Sequence, residues 1–266
     1  MRTRTRSALF LLALLAAHPV HAQMDPLGAT RATPEPGVDP IGTFSILAYD
    51  SVTGEMGGAV QSRVFAVGNG VLWAEADVGV VATQALVDVS YGPQGIALLR
   101  QGLAPSAVIA RLLADDPDRG LGAQRWPKAG RQVAVLSPKG EVAAHTGPEA
   151  SAWAGHRTGR HVTVQGNILA GQAVVDSMIA AFERTGGHLS VRMIAALQAG
   201  QAAGGDIRGM QSAAMLIVGK RCGVWLNNDV VLRLQVDNDP APITKLAENV
   251  AWWWTYQRRS RPGCPA

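Results

Sequence analysis

The chain is poor in the residues that most often announce a chemistry. Its 266 residues include two cysteines, 5% aromatics and 17% charged side chains. No CxxC, HExxH or clustered His/Cys spacing occurs, so neither a structural zinc site nor any other metal centre is expected. The 30 glycines are dispersed, and none opens a helix after a strand as a phosphate-cradling loop does, so no nucleotide cofactor is expected either. Internal repeats are absent, which excludes solenoids and propellers. The apolar run Ala8–Ala17 is about half the roughly 20 residues that a membrane-crossing helix needs.

That short run has a different meaning. Arg2, Arg4 and Arg6 precede it, Pro19 interrupts it, and Val20-His21-Ala22 offers small side chains for cleavage. Residues 1–22 therefore read as a secretory signal peptide, and the product as periplasmic or secreted, with no integral membrane segment after signal removal. No cysteine stands near the cleavage site to take a lipid. Without the three signal arginines the formal balance is 21 Lys+Arg against 20 Asp+Glu. A near-neutral chain lacks the basic footprint of a nucleic-acid binder. Arg258, Arg259 and Arg261 follow Trp252, Trp253, Trp254 and Tyr256, a pattern for a terminal helix that packs its aromatics inward and leaves its arginines solvated. Cys222 and Cys264 are free to pair in an oxidising compartment, though nothing in their spacing requires it.

Residues 23–42 are punctuated by Pro26, Pro34, Pro36 and Pro40 and carry little to bury, so they read as a leader or propeptide. Globular patterning then runs as one domain over 43–266, long enough for a substantial core. Strands are expected at 43–50 and 56–63 as a hairpin, at 78–86 with a short one near Val71, and at 132–136 and 141–145 as a second hairpin. Three more are expected at 211–218, 223–226 and 230–236. Helical periodicity covers 92–101, 105–114, 172–184, 189–199 and 243–257. Adjacent antiparallel strands separated by pairs of helices point to an α+β sandwich, two stacked sheets with helices outside.

The strings GTFSILAYDSVTGEMGGAVQSRVFAVG (42–68), VVATQALVDVSYGPQG (80–95), VAAHTG (142–147), WAGH (153–156), VQGNILAG (164–171) and AGQAAGGDIRGMQSAAM (199–215) occur in this order. Together they resemble an uncharacterised bacterial family, domain of unknown function 1028, over residues 43 to about 246. The resemblance implies the N-terminal nucleophile (Ntn) hydrolase-like fold, a four-layer αββα sandwich. It also implies a chemistry in which the first residue of the trimmed chain attacks an amide carbonyl with its own α-amine as base. An α-amine titrates near 7.7–8.0, so it takes a proton readily at neutral pH.

Thr43 opens the first strand and stands in that place. It follows Gly42, and Gly-Thr resembles the self-cleavage junction of proteasome-type precursors. Against this, a β-branched residue at a strand start needs no catalytic reason. The segment Gln61–Arg63 is similar to the Asp-Ser-Arg of proteasome-type subunits, where the aspartate orients a lysine. Here Gln61 replaces the aspartate, and no lysine occurs between Thr43 and Lys128. Arg63 keeps its proton and is limited to an electrostatic role. Relatives often carry a cysteine ahead of the WAGH string, where this chain has Ala150, Ser151 and Ala152.

Other polar residues are candidates for substrate binding or oxyanion stabilisation. They are Gln84 in an otherwise apolar strand, Asn167 after Gly166, Asp206 and Arg208 in the GGDIRG loop, and Gln211 and Ser212 just beyond it. Asp206 and Arg208 are also placed to pair and brace their turn. His145 and His156 read as hydrogen-bonded structural residues rather than bases. Two functions follow: an exported amide-bond hydrolase acting on a small amide or peptide in the envelope, or a non-catalytic ligand- or peptidoglycan-binding protein on the same fold. A homo-oligomer is compatible with either.

Overall fold

The computed structural model describes residues 42–256, apart from 123, 152, 226 and 227, together with Cys264. The expected signal peptide, the leader up to residue 41 and the arginines at 258, 259 and 261 lie outside the described residues.

Strands β1 (Thr43–Tyr49) and β2 (Met56–Ser62) form a hairpin, followed by β3 (Leu72–Glu75) and β4 (Gly79–Ala85). Helices α1 (Tyr91–Arg100) and α2 (Pro105–Asp115) lead to β5 (Arg131–Leu136), β6 (Val142–Thr146), β7 (Trp153–Gly159) and β8 (Val162–Leu169). Helices α3 (Gln172–Arg184) and α4 (Leu189–Ala202), strands β9 (Ser212–Val218) and β10 (Val230–Val236), and helix α5 (Pro242–Tyr256) complete the order. The strands form two antiparallel sheets, one ordered β10-β9-β2-β1-β8-β7 and one ordered β3-β4-β5-β6.

Each strand face has its own partner. Phe44, Ile46 and Ala48 of β1 join Val174, Met178, Phe182 and Leu197 of α3 and α4 in one core. Leu47, Val60 and Leu216 of the larger sheet meet Val80, Ala82 and Leu136 of the smaller one in a second core. Val81, Val133 and Val135 bury the inner faces of α1 and α2 in a third. The layers are therefore α, β, β, α, the sandwich expected. Pro105 opens α2 where its missing N–H is not needed. The His188 side chain accepts from Ser190 N and caps α4.

Three expectations are corrected. Strands β7 and β8 had no counterpart, because Gly155, Gly159 and Gly166 and several polar residues break the apolar alternation that marks a strand. Gly223–Trp225 are bends rather than a strand, folded so that Gly223 N reaches Asn228 O and Val224 N reaches Val230 O. In α5, Trp253 and Trp254 pack on the helical core, but Trp252 is 59% exposed and stacks on Tyr256. Cys222 and Cys264 form a disulfide with Cα atoms 5.6 Å apart. No helix among the described residues is long and apolar enough to cross a membrane.

Candidate functional site

The head of β1 lies in the middle of the larger sheet, with Thr43 opposite Ser62 on β2 and Asn167 on β8. All three side chains are buried. The Thr43 hydroxyl donates to Ser62 Oγ at 3.0 Å, and Ser62 Oγ donates onward to the carbonyl of Gly42. Arg208 Nη2 donates to the same carbonyl at 2.8 Å. The peptide bond joining Gly42 to Thr43 thus has two donors on its oxygen and a hydroxyl chain leading back to the following threonine.

The guanidinium that reaches Gly42 is held rigidly. Arg208 makes a forked ion pair with Asp206, Nε to Oδ1 at 3.0 Å and Nη2 to Oδ2 at 2.7 Å, and the Asp206 side chain is fully buried. A planar fork of this kind fixes orientation as well as charge. The loop is in turn anchored to β2: Gln61 Nε2 donates to Gly209 O at 3.4 Å, Arg63 Nη1 to Arg208 O, and Gln211 N to Ser62 O at 3.1 Å. Gly209 has φ +103°, a conformation that favours glycine. Gly42 is required for space: a Cβ there would come within 2.7 Å of Asp206 Oδ2, 2.8 Å of Arg208 Nη2 and 2.9 Å of Ile168 Cβ.

The other candidates fall into two groups. Gln61 lies opposite Phe44, whose face packs on the helices, so its side chain braces the loop and does not face Thr43. Gln211 reaches Asn238 at 3.0 Å on the exposed side, and Ser212 Oγ links Val64 O and Val67 N, shaping the segment after β2. Gln84, by contrast, donates to Thr43 O at 3.3 Å and belongs to a buried network. Its Oε1 accepts from Ser45 Oγ at 2.6 Å, and its Nε2 also donates to Gln132 Oε1 at 2.8 Å. Gln165 Nε2 donates to Ser45 Oγ at 2.6 Å. Gln132 Nε2 donates to Gly166 O at 2.9 Å and to Thr146 Oγ1 at 2.9 Å, and Thr146 Oγ1 meets His156 Nδ1 at 2.9 Å.

Sequence reasoning nominated Thr43, Gln84, Asn167, Asp206 and Arg208 but not Ser62, Ser45, Gln132, Gln165 or Thr146. The signal was present as single polar residues alternating with apolar ones, which in one strand is indistinguishable from an outward-facing residue. Burial pushes the His145 imidazole below its ordinary 6.5. Burial, then the nearby His145 and Arg157, lower that of His156. Both rings are therefore neutral at pH 7. Below this layer, burial would raise the Asp116 carboxyl. Hydrogen bonds from Tyr91 and the Asp118 amide, with the Arg131 cation, bring it below the usual range instead. Among the described residues no group of three or more His, Cys, Asp or Glu converges to hold a metal ion.

Chemically, the site can polarise one carbonyl next to a hydroxyl. Comparison with curated proteins finds no match. Among solved structures, the Anbu (ancestral beta-subunit) protein of Yersinia bercovieri is similar at 11% identity, with TM-score 0.34, over 82% of this chain and 99% of that one. That likeness is too distant to inform the site. A crystal structure of a Silicibacter pomeroyi protein assigned to DUF1028 is similar at 30% identity and TM-score 0.70, over 80% of this chain and 86% of that one. The model of that same family matches residues 43–246, so this chain belongs to the family of unknown function DUF1028.

Proposed function

We propose that the protein is an exported amide-bond hydrolase of the Ntn type, with Thr43 as nucleophile once residues 23–42 are removed. The observation that carries this reading is the Gly42 carbonyl, held by the Ser62 hydroxyl and Arg208 Nη2 beside the Thr43 hydroxyl. In the precursor, Thr43 Oγ1 attacks the Gly42 carbonyl carbon. Its proton passes to Ser62 Oγ while the Ser62 proton moves to the developing oxyanion, which Arg208 also stabilises. Collapse re-forms the carbonyl, breaks the C–N bond and passes the proton held on that oxygen to the Thr43 nitrogen, and the Gly42 acyl group is left as an ester on Thr43. Water then hydrolyses the ester, releasing the Gly42 carboxylate and a free Thr43 amine.

In the trimmed protein a substrate carbonyl takes the place that the Gly42 carbonyl vacates, and the same two donors receive its oxyanion. The α-amine takes the Thr43 proton and returns it to the leaving amine. Arg208, beside that amine, disfavours its protonated form and so keeps it a base at neutral pH. The substrate is a small amide or a peptide of the cell envelope. The Cys222–Cys264 disulfide supports export, since such bonds persist in oxidising compartments.

A second reading, a non-catalytic binding protein, draws on the full burial of Thr43 and on the absence of lysine between Thr43 and Lys128. Intact mass and N-terminal sequencing of the exported protein separate the two. A chain starting at Thr43, with Thr43→Ala leaving the leader attached, supports the hydrolase. A chain starting at Gln23 and silent toward amide substrates supports the binder.

A further inference from the structure

The smaller sheet ends in β3, which pairs with β4 and has no second strand beside it among the described residues. The direction of its backbone groups follows from the ladder. Thr83 N donates to Val71 O at 3.1 Å, one step past the Leu72–Ala82 pair. Leu86 N donates to Gly130 O at 3.2 Å, one step past the Ala85–Arg131 pair. Bonded pairs recur at every second residue of an antiparallel ladder, so odd-numbered residues of β4 bond to β3 and even-numbered ones to β5. The N–H and C=O of Trp73 therefore point to β4, and those of Leu72 and Ala74 point away from it. Neither Leu72 nor Ala74 finds another hydrogen-bond partner among the described residues. Such an edge is a template for a further strand.

Beside that edge lies a cleft of about 270 Å³, walled by Leu72 and Ala74 of β3, Ala214 and Leu216 of β9, and Arg233 and Gln235 of β10. Its volume is just under the range usual for small-molecule sites. Strand β3 packs on β9 and β2, so β10 projects past it and floors the cleft. Ala214 and Leu216 face the core between the sheets, and their partners on β10 are Gln235 and Arg233, which leave that strand on the same face. Arg233 is exposed and makes neither a hydrogen bond nor an ion pair among the described residues. The acids nearby are engaged elsewhere, Glu75 with Arg100 and Asp237 with Gln235. A cation without a counter-ion thus overhangs an open strand edge.

We infer that the β3 edge is a docking site for an extended acidic peptide, laid antiparallel as a fifth strand of the smaller sheet. Peptide residues opposite Leu72 and Ala74 exchange N–H···O bonds with them and turn their side chains to the β10 side, where a glutamate meets Arg233. In this mode the backbone bonds give affinity and the side-chain contact selects the partner. A second copy of the chain fits poorly, because bringing two β3 edges together drives each projecting β10 into the other molecule. Strands β9 and β2 separate β10 from β1, and the site does not depend on Thr43 being freed. Its test therefore stands apart from that of the proposed hydrolase.

The probe is the pentapeptide acetyl-Thr-Val-Glu-Val-Thr-amide, titrated calorimetrically into the protein purified after expression of the full-length chain. It is expected to bind saturably, and the same peptide with glutamine for glutamate about tenfold more weakly. Arg233→Gln should weaken the glutamate peptide by about the same tenfold and leave the glutamine peptide unchanged. N-methylation of the glutamate nitrogen, which points at β3, should weaken binding by about tenfold or more, whereas N-methylation of a valine nitrogen, which points away, should change it little. In hydrogen-exchange spectra the Leu72 and Ala74 amides should slow on addition of the peptide. Equal affinity for the two peptides, equal losses from the two methylations, no binding, or unmoved exchange at Leu72 and Ala74 would overturn the assignment. Protection of those amides without peptide, rising with protein concentration, would place a second copy on the edge and overturn it as well.

Discussion

The space between the two sheets has two halves that differ in kind. Toward the β1–β2 turn it is filled by Leu47, Met56, Val60, Val80, Leu136 and Leu216, a dry core. Toward the head of β1 the same strands carry Thr43, Ser45, Ser62, Gln84 and Gln132 on the same faces, all buried. The change is level on β4 and β5, where Ala82 gives way to Gln84 and Ala134 to Gln132. It comes one pair earlier on β1, where Leu47 gives way to Ser45 opposite Val60, than on β2, where Val60 gives way to Ser62. Burying amides and hydroxyls gains little over apolar packing even when they are fully bonded, so the polar half is the poorer stabiliser. What it supplies is fixed donor directions around the Gly42–Thr43 peptide.

The comparison can be broken by substitution in either half. The largest stability loss is expected from Leu136→Ala in the dry half, about 2–5 kcal/mol from lost burial and the cavity left behind, read by denaturant unfolding. Ser62→Ala at the polar end should cost far less stability but slow release of the leader by about 10²-fold, measured by timed intact mass, because one oxyanion donor and the hydroxyl chain are lost. Gln132→Leu orphans the amide and hydroxyl partners it serves and should cost about 1–3 kcal/mol. If Ser62→Ala left processing unchanged while Leu136→Ala slowed it, the division of labour between the halves would be wrong.

The smallest effect is on pH. The folded state depresses the His145 and His156 values below the unfolded 6.5, so between those values the unfolded chain binds more protons. Stability from this source is complete above 6.5 and is lost as pH falls from there through the folded values. His156→Gln should flatten that part of a pH–stability curve, and an unchanged slope would show that His156 does not contribute.

How far the sequence could be read follows from the same two halves. Apolar alternation located β1, β2, β4, β5 and β9, and helical periodicity located α1 to α5 within a few residues of their ends. Strand β8 stayed hidden although it is paired on both sides and wholly buried, because Thr163, Gln165 and Asn167 on its face toward the other sheet imitate a surface strand. Gln84 stood out because β4 is apolar apart from it and Thr83. Ser62 and Gln132 gave no such contrast, and their meaning arises from register across strands distant in the sequence. The Asp206–Arg208 pair was legible as a brace, since it closes within one glycine turn. That its guanidinium also reaches Gly42, 166 positions away, was not.

The most direct measurement is the N-terminal residue of the protein purified after expression of the full-length chain, compared with that of its Thr43→Ala variant. Thr43 at the start of the parent chain, and a leader still attached in the variant, is the expected result. A parent chain that begins at Gln23 and carries Gly42 joined to Thr43 would contradict the catalytic role given to the head of β1.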